Sequence, residues 1–212
     1  MTEEEARGWI ANNFPVSRET WDKLERYIAL LLSGMEEQNL IAESTRPHVW
    51  ARHIVDSAQL LKFADGAKDG WVDLGSGAGL PAIVVGILSP RPIMMIESRR
   101  KRIDFLNHVV SELGLDHAMI WGGRVETAPA AEAGVISARA YAPLSRLFAS
   151  ALHLSGKNSL WVLPKGRNAE NELEAARSTW QGVFHVERSV TDVDSSIIVA
   201  RSVEPLGRKG RG

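Results

Sequence analysis

The stretch VDLGSGAGLPAIVVGI, Val72–Ile87, sets three glycines, Gly75, Gly77 and Gly79, among small residues between two apolar runs. A buried strand before them and a helix after them put the glycines in a turn at the strand's carboxyl end. That is the edge at which open parallel sheets bind ligands. Without Cβ atoms the loop can turn sharply and bring a ligand against bare main chain. The same rhythm continues down the chain. Strands at 71–75, 92–97, 118–122 and 134–138 alternate with helices at 79–88 and 99–113, the second opened by Ser98 as N-cap and stopped by Gly114. Ser159–Leu163 reads as a strand, Ala169–Trp180 as a helix, and Val183–Val190 with Ser196–Ser202 as a final strand pair. This alternation predicts an α/β, Rossmann-like fold: a mostly parallel central sheet with helices on both faces.

Ahead of the sheet, Ser17 precedes apolar residues at Trp21, Leu24, Ile28, Leu31, Leu32 and Met35, and a second helical face follows at Trp50, Ile54, Ala58 and Leu61. The polar, glycine-bearing FADGAKDG, Phe63–Gly70, separates this section from the strands. The expected organisation is an N-terminal helical extension at 1–64, the α/β domain at 65–203 and a basic, disordered tail at 204–212.

Several chemistries are excluded or disfavoured. The chain has no cysteine, so disulfides, thiolate metal sites and cysteine nucleophiles are ruled out. The six histidines show no metal spacing, and no metal is expected. No apolar run approaches the ~18 residues of a membrane span, and the acidic start MTEEEARGW is unlike a basic targeting leader, so a cytoplasmic location is expected. Net charge is −1, so a nucleic-acid partner must meet a local basic surface.

Position 80 separates two nucleotide readings. A dinucleotide fingerprint places its third glycine where this chain has Leu80, and a bulky leucine there opposes a pyrophosphate. G-x-G-x-G preceded by an acid, here Asp73, resembles the first motif of S-adenosyl-L-methionine-dependent methyltransferases. Glu97, ending the second strand, accepts hydrogen bonds and donates none, which suits ribose hydroxyls of either nucleotide. Asp73, Gly75, Gly77, Gly79 and Glu97 are therefore cofactor-site candidates.

The resemblance becomes specific in a set of stretches: NL at Asn39–Leu40, RHIVDS at Arg52–Ser57, DLGSGAGLP at Asp73–Pro81, ESRRKRIDFL at Glu97–Leu106, GRVET at Gly123–Thr127, SARAYAPL at Ser137–Leu144 and PKG at Pro164–Gly166. Together they resemble the ribosomal small-subunit methyltransferase G family, also called glucose-inhibited division protein B. The resemblance implies transfer of a methyl group from S-adenosyl-L-methionine to N7 of a guanine in 16S rRNA. It further implies cofactor contacts by Gly75, Leu80, Val125, Glu126 and Arg139, with Val125 and Glu126 beside the adenine. The chain departs from the family pattern at Gly34 and Met35, where a Trp-Asn pair is usual, at Ile41 in place of a Thr, and at Ala82 after Pro81.

The implied reaction suits these residues. Guanine N7 carries an in-plane lone pair and no proton, so positioning and electrostatics are the main tasks and no obligatory general base is needed. Arg139, Lys165, His53 and Arg201 are candidates for positioning the substrate. Arg139 reads as the partner of the methionine carboxylate, Lys165 and Arg201 as phosphate contacts or solvated charges, and His53 as a buried structural imidazole or an RNA contact. The basic run Ser98–Arg102 reads as RNA-facing or simply solvated. A nicotinamide-dependent dehydrogenase and a non-enzymatic ribosome-assembly factor are the alternatives; binding of S-adenosylmethionine against NAD, and loss of 7-methylguanosine on deletion, separate them.

Overall fold

The computed structural model describes residues 1–67 and 70–207. Helix α1 (Glu3–Asn13) opens on a capping box in which Thr2 and Glu5 each accept the other's backbone amide. Helix α2 (Arg18–Gly34) starts at the expected N-cap Ser17 and buries Leu24, Tyr27, Ile28, Leu30 and Leu31. The next helical face is broken into a π turn at Trp50–Val55, the short α3 (Asp56–Ala58) and a 3-10 turn at Gln59–Phe63.

The α/β portion runs β1 (Trp71–Leu74), α4 (Ala82–Leu88), β2 (Ile93–Glu97), α5 (Arg100–Leu113), β3 (Ala118–Gly122), β4 (Ala133–Ser137), α6 (Leu144–Ala151), β5 (Ser155–Lys165), α7 (Ala169–Arg177), β6 (Trp180–Arg188) and β7 (Ser196–Pro205). The seven strands form one sheet in the order β3-β2-β1-β4-β5-β7-β6. β1 to β5 are parallel, and β7 is antiparallel to both β5 and β6. Chain order reverses between β1 and β4, so the loops leaving those two strands face each other across the crevice where ligands of such sheets lie.

The sheet separates two apolar clusters by the alternation of its strands. Trp71, Met95, Val135, Leu160 and Val162 point to the face covered by α4, α5 and the N-terminal helices. Val72, Leu74, Ile96, Ile136, Trp161 and Leu163 point to the face covered by α6 and α7. Phe148 of α6 meets Trp161 edge-on at 5.2 Å and Trp180 at 5.5 Å. Residues on both sides of position 64 belong to the first cluster, so the N-terminal helices are part of the core over the sheet. Tyr27 of α2 is fully buried and donates its hydroxyl to the Ala78 carbonyl at 2.8 Å, which ties those helices to the glycine turn.

Some expected boundaries move for identifiable reasons. The helix expected from 79 begins at Ala82, because Gly79 has a φ of +89° and still belongs to the turn. Ser98 does not cap α5; Arg99 holds the N-cap position, and the Glu97 carboxylate accepts the amides of Ser98 and Arg99. The helix expected to reach Trp180 stops at Arg177, and Trp180 starts β6 with its ring among the core aromatics. β7 extends to Pro205, paired with Trp180, so the start of the expected tail is strand, while Arg208–Gly212 lie outside the described residues, as do Lys68 and Asp69 of the FADGAKDG loop.

Two glycines in contrasting surroundings have opposite expected responses to a methyl group. A Cβ at Gly79 would lie 2.4 Å from Ile83 Cγ1 on a backbone with positive φ, whereas at Gly8, inside α1, nothing lies within 4 Å. Gly79→Ala should lower stability by about 1–3 kcal/mol, and Gly8→Ala should raise it by up to about 1 kcal/mol. Urea midpoints of the two variants check both signs.

Candidate active site

Two cavities open at the carboxyl edge of the sheet. The smaller, about 390 Å³, lies over the ends of β1 and β2 and is lined by Gly75, Glu97, Gly123, Val125, Glu126, Tyr141 and Arg146 among others. The larger, about 630 Å³, lies between the N-terminal pieces, the ends of β4 and β5 and the β6–β7 turn; Thr45, Arg52, His53, Asp56, Arg139, Tyr141, Lys165, Glu172 and Asp192 face it.

The smaller cavity is shaped by a convergence of amides on Glu97. One carboxylate oxygen accepts the Gly77 amide at 2.9 Å, and the other accepts those of Ser98 at 2.7 Å and Arg99 at 2.8 Å. A carboxylate offers about four lone-pair sites, so Glu97 retains capacity for about one further donor rather than a pair of hydroxyls. Gly75, with φ +64°, leaves its missing Cβ to the Tyr141 ring, whose Cδ2 lies 2.7 Å from where that atom would sit. The absent Cβ of Gly79 is filled instead by Ile83 and Leu106, which makes Gly79 a glycine of the core. Gly77 contributes its amide to Glu97, and Leu80 is buried at 4% exposure; neither they nor Gly79 line the cavity.

Asp73 lies below this floor, fully buried. Its Oδ1 accepts the Ser137 hydroxyl at 2.6 Å, and Ser137 Oγ accepts the Trp71 indole N–H at 2.7 Å. Its Oδ2 has no hydrogen-bond partner among the described residues. Burial, outweighing the Ser137 hydrogen bond and the Arg139 charge, pushes the Asp73 pKa up to about 6.

Arg139 and His53 come together in the larger cavity. Arg139 Nη1 lies 3.1 Å from His53 Nδ1 and 3.6 Å from Asp56 Oδ2. A guanidinium only donates, so Nδ1 is the acceptor and the imidazole proton sits on Nε2, donated to Thr45 Oγ1 at 2.8 Å; Thr45 in turn donates to the Ala42 carbonyl. Burial, reinforced by the charges of Arg139 and Arg52, holds the His53 pKa down at about 3, so the ring is neutral at ordinary pH. Lys165 Nζ donates to the Ala142 carbonyl at 3.0 Å and to Glu172 at 2.8 Å. Arg52 pairs with Asp192 of the β6–β7 turn at 2.5 Å, and Asp56 also accepts the Thr191 hydroxyl.

Arg201 stands apart from these residues. It is exposed on β7 opposite Leu160, whereas Lys165 pairs with Ser196, five positions along β7. At ~3.4 Å per residue that is about 17 Å away, so Arg201 belongs to neither cavity. Of the basic run at 98–102, Arg100 pairs with Asp104, and Arg102 donates to the Asn39 carbonyl, joining α5 to the segment after α2. Tyr141, Thr45, Glu172 and Asp192 are site residues that the spacing arguments did not single out; only Tyr141 carried a visible signal, as the aromatic after the fourth strand. Among the described residues no group of three or more His, Asp or Glu is arranged to hold a metal ion, and no helix is long and apolar enough to cross a membrane.

This fold, with its cavities at the switch point, is that of the Rossmann-like methyltransferases. The glycopeptide N-methyltransferase MtfA complexed with sinefungin aligns with a TM-score of 0.60 at 10% identity, covering 70% of this chain and 93% of that one. A mutant of MtNAS in complex with S-adenosylmethionine aligns at 0.56 and 14% identity, covering 84% and 74%. These likenesses concern the fold. Sequence narrows it further. The family profile for rRNA small subunit methyltransferase G matches residues 20–199. The proteins named ribosomal RNA small subunit methyltransferase G from Sphingopyxis alaskensis and Rhizorhabdus wittichii are 50% identical over 198 residues and 48% identical over 215 residues. Those alignments cover 93% and 100% of this chain, and 85% and 98% of the relatives. The chain belongs to the rRNA small subunit methyltransferase G family.

The opposed shifts of His53 and Asp73 predict a pH signature. Between about pH 3 and 6.5 the unfolded chain protonates His53 and the folded protein does not, so this group removes stability as pH falls. Between 3.8 and about 6 folded Asp73 holds a proton that the unfolded chain releases, so this group removes stability as pH rises. Asp73→Asn abolishes the second effect. Its urea midpoint should therefore climb more steeply than wild type between roughly pH 4 and 6; parallel curves would contradict the burial of a protonated carboxyl.

Proposed function

We propose that the protein transfers a methyl group from S-adenosyl-L-methionine to N7 of a guanine in 16S rRNA, acting on the small ribosomal subunit or its RNA in the cytoplasm. The observation that carries this reading is the family match across residues 20–199, joined to two cavities that share Tyr141 as a wall.

The residues of the smaller cavity fit an adenosine. Glu97 has about one acceptor position left for a ribose hydroxyl, Val125 and Glu126 offer an apolar and a polar flank for the adenine, and Gly75 presents main chain without a Cβ. S-adenosylmethionine, when bound, supplies a methyl group made electrophilic by a sulfonium. Arg139 uses one of its five N–H donors on His53, which leaves others for a carboxylate on the methionine side. Asp73, Gly77, Gly79 and Leu80 support this site from beneath: they shape the turn, hold Glu97 and fill the core.

The larger cavity fits an acceptor that needs no deprotonation. Its imidazole is neutral with both nitrogens engaged, and its three carboxylates, Asp56, Glu172 and Asp192, each pair with Arg139, Lys165 or Arg52. Each carboxylate there is held by a cation that favours its charged form, which makes it a poor base for an amine or a hydroxyl, whereas N7 has no proton to give. Methylation at N7 leaves positive charge on the purine, and the same carboxylates are fixed nearby to accommodate it. The N-terminal section, residues 1–64, supplies Thr45, Arg52, His53 and Asp56 and thus one wall of the RNA-facing surface.

Incubation with labelled S-adenosylmethionine and small subunits lacking the modification should label one guanine at N7; label elsewhere, or none, overturns the assignment. The pairing of the cations gives a further expectation. Glu172→Gln releases Lys165, so RNA affinity should rise several-fold at low salt, and the slope of log K against log salt should steepen by about 0.7–0.9. Filter binding across a salt series measures it.

A further inference from the structure

Among the described residues, Tyr141 alone lines both cavities. Its ring rests on Gly75, filling the space that a side chain there would take, and so stands between the adenosine-shaped cavity and the acceptor pocket. The two cavities meet at this ring, so a methyl donor held in the first and delivering into the second has to come past it.

The ring packs at the edge of the apolar cluster around α6, but its hydroxyl is weakly held. Its hydroxyl reaches Ser150 Oγ at 3.3 Å, long for an O–H···O bond, and Ser150 makes its better bond, at 2.9 Å, to the Leu147 carbonyl. The residue before it, Ala140, has a φ of +52°, a conformation that non-glycine residues hold at a cost and that often marks a functional turn. On the far side of the segment, Lys165 holds the Ala142 carbonyl and fixes the backbone about which the ring can swing.

Resting on the proposed function, we propose that Tyr141 is a movable partition and a positioning residue. Cofactor binding lifts its ring off Gly75, and the ring, already part of the acceptor pocket's wall, turns its face into that pocket so that the target purine stacks on it. The consequence is an ordered coupling: the acceptor surface is complete only once the cofactor cavity is filled. An aromatic suits this role, because every base presents a π face for it to stack on.

The chain contains two tyrosines, and the other, Tyr27, is buried beneath the glycine turn. Protein carrying 3-fluorotyrosine therefore gives two fluorine resonances, assigned with Tyr141→Phe. Addition of S-adenosylhomocysteine, the unreactive probe, should move the Tyr141 resonance well beyond its linewidth. Binding of an RNA fragment carrying the target guanine should tighten by about tenfold when the probe is present, within the usual range for coupled sites. Tyr141→Ala should abolish that coupling and, with no ring to displace, bind the probe more tightly than wild type, whereas Tyr141→Phe should keep the coupling. If calorimetry finds no binding of S-adenosylhomocysteine to wild type, the cofactor reading itself fails. If the probe binds but the Tyr141 resonance stays put, or the alanine variant shows undiminished coupling, the partition is overturned and the cofactor reading stands.

Discussion

One buried carboxylate organises the carboxyl edge of this sheet. Glu97 receives the amides of Gly77, Ser98 and Arg99, so a single side chain bonds the glycine turn after β1 to the start of α5 after β2. Hydrogen bonds to a charged acceptor are among the stronger ones a protein makes, and loss of one partner leaves a buried charge short of donors. The arrangement is stabilised from two further directions. Tyr27 pins the Ala78 carbonyl from the side of the N-terminal helices, and Ile83 with Leu106 fills the space beside Gly79. The turn is thus held from three directions by the protein's own contacts, and the floor of the smaller cavity is built into the fold.

Beneath that floor, Asp73 sits in a polar file with Ser137 and Trp71 that crosses from β1 to β4. The register of the two strands, with Asp73 beside Ser137, brings the pair together at the switch point. Burial favours the protonated carboxyl, while the Ser137 hydroxyl and Arg139 favour the charged one. Arg139 is the link, because it bears on both Asp73 and His53.

Much of this was legible in the sequence because it rests on local chemistry. The glycines after an apolar strand, Glu97 at the end of the next strand, and Gly114 stopping α5 each follow from backbone rules acting over a few residues, and the structure has Gly114 left-handed as such a stop requires. The capping box Thr2–Glu5 was also written there, though its helix was not expected. What escaped was nonlocal. The roles of the three glycines differ by what packs beside each, and periodicity says nothing about that. Asp192 meets Arg52 across 140 positions, and Thr191 meets Asp56 across 135. Arg201 shows the converse: its charge suggested the site, but strand register carried it toward the far end of the sheet.

If the larger cavity takes the acceptor, as proposed, its charge arrangement bears on how that acceptor is chosen. Arg52, Arg139 and Lys165 face three carboxylates, Asp56, Glu172 and Asp192, so the pocket is formally neutral with a neutral imidazole among them. An unpaired basic cluster would attract any polyanion, since sequence-independent affinity for nucleic acid grows with each phosphate neutralised. Paired cations instead exert little pull at a distance and form strong contacts only where a phosphate or base edge is presented at the right geometry. Two of the three pairs, Lys165–Glu172 and Arg52–Asp192, reach into the segments that enclose the pocket, so exchanging their carboxylates for phosphates also loosens α7 and the β6–β7 turn. On the proposed reading, recognition and the shape of the pocket are one equilibrium: an RNA that fits replaces the contacts it breaks, and one that does not leaves half-buried charges short of partners.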